Sequence, residues 1–143
     1  MRIPRRKSSD AGRPLVRRVL VGTDRSATAH RAVLWAADMA ERYDAELLVV
    51  QVVVNGAVHE VEPALREYVQ EVAGERGRAS VVSDDDPARA IVEAVEREDV
   101  DVVVVGSVGM SGRKEFLLRN VPNRISHNAP CTVVIVNTTG DAK

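Results

Sequence analysis

What this 143-residue chain has least of is aromatic surface: Phe, Trp and Tyr together make up 3% of it. Val and Ala dominate the apolar residues, so a core has to be packed from small aliphatic pieces. The single cysteine, Cys131, excludes an internal disulfide framework and suits a reducing compartment. A lone thiol at a strand start reads as packing. No apolar run approaches the roughly 18 residues of a membrane helix, so no membrane span is expected. No leader is read ahead of the first strand, which makes the cytoplasm the expected location. Catalytic pairs are missing as well. His30, His59 and His127 are scattered, and no nucleophile is spaced to use them. The expectation is a protein that is not an enzyme, or at most a slow hydrolase.

A net charge of −1 conceals a split. Residues 1–18 hold seven basic groups against Asp10, or +6, which leaves 13 basic and 20 acidic residues, or −7, on the remainder. The first 16 residues carry two prolines, serines and no periodicity, and read as a disordered basic tail. A body at −7 makes a poor general nucleic-acid binder, so no specific nucleic-acid partner is expected. Residues 139–143 read as a flexible C-terminus.

Between these ends strands and helices alternate. Strands are expected at 17–22, 46–54, 78–83, 100–106 and 131–137. The first helix runs from 26 to 43, with Ala29, Val33, Ala36, Ala37, Ala40 and Tyr43 on one face and Trp35 on the polar side. The second is expected to open at Pro63, with Ala64, Leu65, Tyr68, Val69, Val72 and Ala73 as its stripe. Asp86 followed by Pro87 is a strong start for the third: a capping carboxylate, then a proline in the first turn. Asn120 is expected to cap the fourth, which ends at Asn128. Strands that are apolar on both faces and joined by helices imply a parallel sheet. The doubly wound open sheet, with helices on both faces, is the simplest arrangement for residues 17–138, read as a single domain.

Ligands in such sheets bind at the carboxyl ends of the strands, where the winding reverses. Two loops therefore matter. After the first strand, VGTDRS places Thr23, Asp24 and Arg25 at the turn, but it holds neither GxxxxGK[ST] nor GxGxxG. Asp24 reads either as a solvated carboxylate or as an acceptor for a ligand's hydroxyl or amine. After the fourth strand, Gly106 and Gly109 flank Ser107, and their backbone N–H groups can turn toward an anion. The helix beginning near Asn120 would aim its free N–H groups and positive dipole end at the same place. An ordinary tight turn is the alternative. Asp84, Asp85 and Asp86 read as one cap plus two solvated acids, with no metal site.

The order of elements, Asp24 after the first strand, DPARAIVEA, VVVVGSVG and NAPCTVVIV together resemble the universal stress protein family. That resemblance covers about residues 17–138. It implies a five-stranded sheet in the order 3-2-1-4-5 and a site for ATP or another adenine nucleotide, with Mg2+ present only if ATP is bound. It places Asp24 beside the nucleotide and Val52 against adenine. The family's binding motif is Gly, two residues, Gly, nine residues, Gly-Ser. Here Gly106 and Gly109 match, but Arg119 and Asn120 stand where Gly-Ser is expected, followed by Val121. A guanidinium can itself grip phosphate. It can equally fill the phosphate space, and then a non-binding dimeric interaction module is what remains. The resemblance also implies homodimers paired through the 131–137 edge strand, acting on a regulatory partner that the sequence does not identify.

Overall fold

The valine-rich central segments become strands because they are covered on both faces, and the helices that cover them carry their small residues inward. In the computed structural model, which describes residues 15–54, 56–107 and 120–138, the order is β1 (Arg18–Thr23), α1 (Ala27–Tyr43), β2 (Glu46–Val53) and α2 (Val58–Ala73). There follow a 3-10 turn (Gly74–Arg76), β3 (Gly77–Ser83), α3 (Pro87–Glu98), β4 (Val102–Gly106), α4 (Asn120–Asn128) and β5 (Thr132–Val136). All five strands are parallel, in the order β3-β2-β1-β4-β5. This is the doubly wound α/β sheet that the sequence implied.

Alternation along the strands divides the core in two. Val19, Val21, Leu47, Val49, Val102 and Val104 face α1 and α2, where they meet Val33, Ala36, Leu65 and Val69. Leu20, Leu48, Val50, Val103 and Val105 face α3 and α4, where they meet Ile91, Ala94, Val121 and Ile125. Alanines on α1 let its backbone lie close on the sheet, as expected. Val16 is already buried in the first cluster, so packing begins before Arg17. Residues 1–14 and 139–143 lie outside the described residues.

Several local expectations need correction. The second helix does not open at Pro63; it opens at Val58, with Pro63 inside it. The missing proline N–H costs one hydrogen bond near the helix start, and VHEVE ahead of it is competent to form the first turn. Ala64 is exposed, while Leu65 and Val69 are buried. On α1, Tyr43 is 43% exposed and Ala32 takes a place in the buried face. Trp35 is exposed, consistent with the polar side. Ser26 is the α1 cap: its side chain accepts from the Ala29 N–H at 3.2 Å. Asn120 is the first helical residue of α4 rather than its cap. Cys131 precedes β5 and is partly buried against the second cluster, and burial pushes its thiol pKa up.

Candidate functional site

The sheet opens where its winding reverses. β1 pairs with β2 along its whole length, as far as Thr23 with Gln51. Its pairing with β4 covers only Val19 to Val21 against Val102 to Val104. On the other side β4 stays paired with β5 through Gly106 and Val136. Past Val21 and Val104 the two central strands therefore part, while each keeps its outer neighbour. Thr23, Asp24, Gly106 and Ser107 stand at the mouth of this cleft.

The β1 side of the mouth is pinned by its own side chains. Thr23 is fully buried, and its Oγ1 accepts from the Arg25 N–H at 2.9 Å. Asp24 Oδ1 accepts from the Ser26 N–H at 2.9 Å, an Asx turn that leads directly into the α1 cap. Its other carboxylate oxygen has no partner among the described residues. Arg25 adopts a left-handed backbone, φ 68°, which costs a non-glycine residue about 1 kcal/mol. Its side chain turns to α2: the guanidinium lies 4.1 Å from the Tyr68 ring centroid and 3.4 Å from the Ala64 carbonyl oxygen. Tyr68 Oη in turn lies 2.6 Å from His30 Nδ1. Burial pushes the Tyr68 pKa up, against a smaller opposing pull from Arg25.

On the β4 side, Ser107 is tied to the strand beyond it. Its N–H donates to the Val136 carbonyl at 2.7 Å, and its Oγ accepts from the Thr138 N–H at 3.1 Å. The serine hydroxyl hydrogen has no acceptor among the described residues. α4 begins at Asn120, and Val121 is 5% exposed, so that residue anchors the helix in the core. First-turn N–H groups have no partner inside a helix, but Pro122 contributes none. Gly109, Arg119 and the Asn120 side chain lie outside the described residues. On β2, Val52 is partly buried against the second core cluster. The preceding Gln51 has its Oε1 shielded from solvent with no partner among the described residues.

The acidic triplet is only partly solvated. Asp85 is exposed, and its Oδ1 accepts from Arg89 Nη2 at 3.3 Å. Asp86 is the α3 cap, its Oδ1 accepting from the Arg89 N–H at 3.2 Å, and it also accepts both Arg124 nitrogens at 2.9 Å. Asp84 is not free: it accepts from the Asp86 N–H at 2.9 Å and forms an ion pair with Arg89. Hydrogen bonds from Arg89 and Arg124 hold the Asp84 and Asp86 carboxyls, respectively, below their ordinary range. No group of three His, Cys, Asp or Glu able to hold a metal occurs among the described residues. Sequence reasoning missed the contacts of Arg25 with Tyr68 and of Arg124 with Asp86. Each partner lies on a separate element, so no local spacing marks the pair.

The family model described as the universal stress protein family matches residues 16–137. The chain belongs to the universal stress protein family. Universal stress protein MJ0531 of Methanocaldococcus jannaschii is 27% identical over 87% of this chain and 84% of its own length. Among solved structures, a universal stress protein in complex with cAMP superposes with a TM-score of 0.71 at 27% identity, covering 87% of this chain and 98% of that one. Protein Rv1636 of Mycobacterium tuberculosis H37Rv gives a TM-score of 0.57 at 31% identity, covering 87% and 97%. Among the described residues of this universal stress protein, no helix is long and apolar enough to cross a membrane.

Proposed function

We propose that this chain binds ATP or a related adenine nucleotide in the cleft between the carboxyl ends of β1 and β4, and acts as a cytoplasmic regulator. The observation that carries the reading is the early parting of those two strands, which leaves facing backbone at a winding reversal without sheet partners. The donor set fits a nucleotide. Asp24 offers a carboxylate oxygen to ribose or amine hydrogens, and Val52 offers an apolar wall to a base. Ser107 and the first-turn N–H groups of Asn120 and Val121 offer donors to phosphate, with Gly106 leaving room for close approach. Thr23 holds the turn that presents Asp24. Arg25 shapes the same turn through its backbone, and its guanidinium reaches a ligand only by leaving Tyr68. Gly109 and Arg119 complete the proposed set. The relative solved with cAMP supports the adenine class. Mg2+ would arrive with a triphosphate rather than occupy a site of its own.

β5 stands at the sheet edge with Ile135 49% exposed, which supports pairing with a second copy.

Calorimetric titration with ATP, AMP and cAMP tests the reading. Saturable heat at submillimolar ligand is expected, and Asp24→Ala should weaken it about tenfold by removing one charge-assisted hydrogen bond. Absence of heat with all three ligands overturns nucleotide binding and leaves the dimeric interaction module. A monomeric mass at micromolar concentration overturns the dimer.

A further inference from the structure

α4 is nine residues long, and its buried apolar residues are Val121, Pro122 and Ile125. These contacts fix how deep a short helix sits, and a directional polar contact can add a constraint on its angle across the sheet. Among the described residues, one polar side-chain contact of α4 reaches another element. Arg124 Nη1 and Nη2 each lie 2.9 Å from a different oxygen of Asp86, the residue that caps α3. Among the described residues, the other side-chain hydrogen bonds of α4, from Ser126 to the Asn123 carbonyl and from Asn128 to the Arg124 carbonyl, stay within the helix. A planar guanidinium on a planar carboxylate fixes angle as well as distance. Asp86 is in turn held against the β3 end, since its own N–H donates to Asp84 Oδ1 at 2.9 Å.

From Ile125 back to Asn120 is about 7 Å at the helical rise, so a swing of about 10° moves the first turn by roughly 1 Å. Displacement of that size takes an N–H···O contact out of its favourable range. The pair is half exposed, with side chains 49% and 25% accessible, and such pairs add little to stability. Its geometry is what distinguishes it.

We infer that Arg124 is a positioning residue: its two-pronged bond to Asp86 aims the first turn of α4 at the phosphates of the bound nucleotide. The inference rests on the nucleotide reading of the cleft. It predicts that losing this bond weakens ligands in proportion to their phosphate content and leaves nucleoside affinity alone.

The test uses the full chain. Arg124→Gln removes the donor, and Asp86→Asn removes one of its two acceptors while keeping a competent cap on α3. Each should weaken ATP about fivefold, the upper end of what an exposed pair delivers, and change adenosine less than about twofold. The double variant should also lose about fivefold, not the roughly 25-fold of independent sites. Equal weakening of ATP and adenosine, or multiplying losses in the double variant, overturns the inference. If Arg124→Gln does not fold, Arg124→Lys keeps the charge without the two-pronged geometry, and the same ATP-selective loss is expected. If the wild-type chain gives no heat with ATP, the nucleotide reading fails separately. Amide exchange then decides the positioning role: faster exchange at residues 124–128, whose N–H groups are bonded within the helix, in Arg124→Gln supports it, and unchanged exchange overturns it.

Discussion

The two rims of the sheet are built to opposite ends. At the amino rim the strands are stitched to one another. The Asp101 carboxylate accepts the N–H groups of Arg17 and Arg18 at 2.8 and 3.0 Å, and its own N–H donates to the Arg18 carbonyl. Arg18 reaches Glu46 at 3.0 Å and the Glu98 carbonyl at 2.8 Å. Arg78 bridges Glu46 and Glu98 at 3.0 and 2.9 Å. At the carboxyl rim β1 and β4 part, although the outer neighbours stay tied through Ser107 to Val136 and Asp84 to Val53, and the ion pairs there link helix caps and loops. Charge is abundant at both rims. The difference lies in whether it closes the sheet or frames an opening, so the amino rim should control stability and the carboxyl rim affinity.

Changes at the amino rim should have the largest effects. A Cβ on Gly77, at the start of β3, would come within 2.6 Å of Val69 Cγ1 and 2.8 Å of the Ala73 Cβ. Gly77→Ala should therefore lose about 2 to 3 kcal/mol in urea unfolding, with ATP affinity unchanged. Asp101→Ala strands two backbone donors and should cost about 2 kcal/mol, again without altering ATP affinity. A shift in affinity from either variant would break the division between the rims. Toward the cleft, Gln51→Met removes the shielded orphan Oε1 and should gain about 1 kcal/mol; a loss would mean that the amide is satisfied in solution.

The smallest effect concerns acid. Asp84 and Asp86 have lowered pKa values, chiefly through the hydrogen bonds from Arg89 and Arg124. A carboxyl that is more acidic folded than unfolded contributes stability that is complete above about pH 4 and disappears as pH falls through the folded value. Glu98 at the amino rim is lowered in the same direction by Arg78. Melting temperature should fall below about pH 4, and the fall should be shallower in Arg124→Gln. An identical acid limb in that variant would assign the response to the amino rim instead.

Much of the fold was legible because burial on both faces writes continuous apolar strands, and because Asp86-Pro87 marks a helix start by local chemistry alone. Pro63 misled for the same reason. Its presence is a local signal, but α2 begins five residues earlier because Leu65 and Val69 pack on the sheet and the VHEVE segment extends the helix ahead of them. Asp24 could be read from its place after a strand. Arg25 could be placed in the turn, but not its turn toward Tyr68, which depends on how α2 lies beside α1. The Asp86–Arg124 contact spans 38 residues, beyond any periodicity. Asp84 looked solvated because its partner Arg89 is brought round only by the first turn of α3.

The early end of the β1–β4 ladder gives the molecule something that strand order alone does not express. An open sheet normally has two borders, and both lie at its flanks. Here the facing peptide groups beyond Val21 and Val104 form a third border in the middle, where helices on either side keep another strand from adding to it. Only something small enough to enter from the end can complete it.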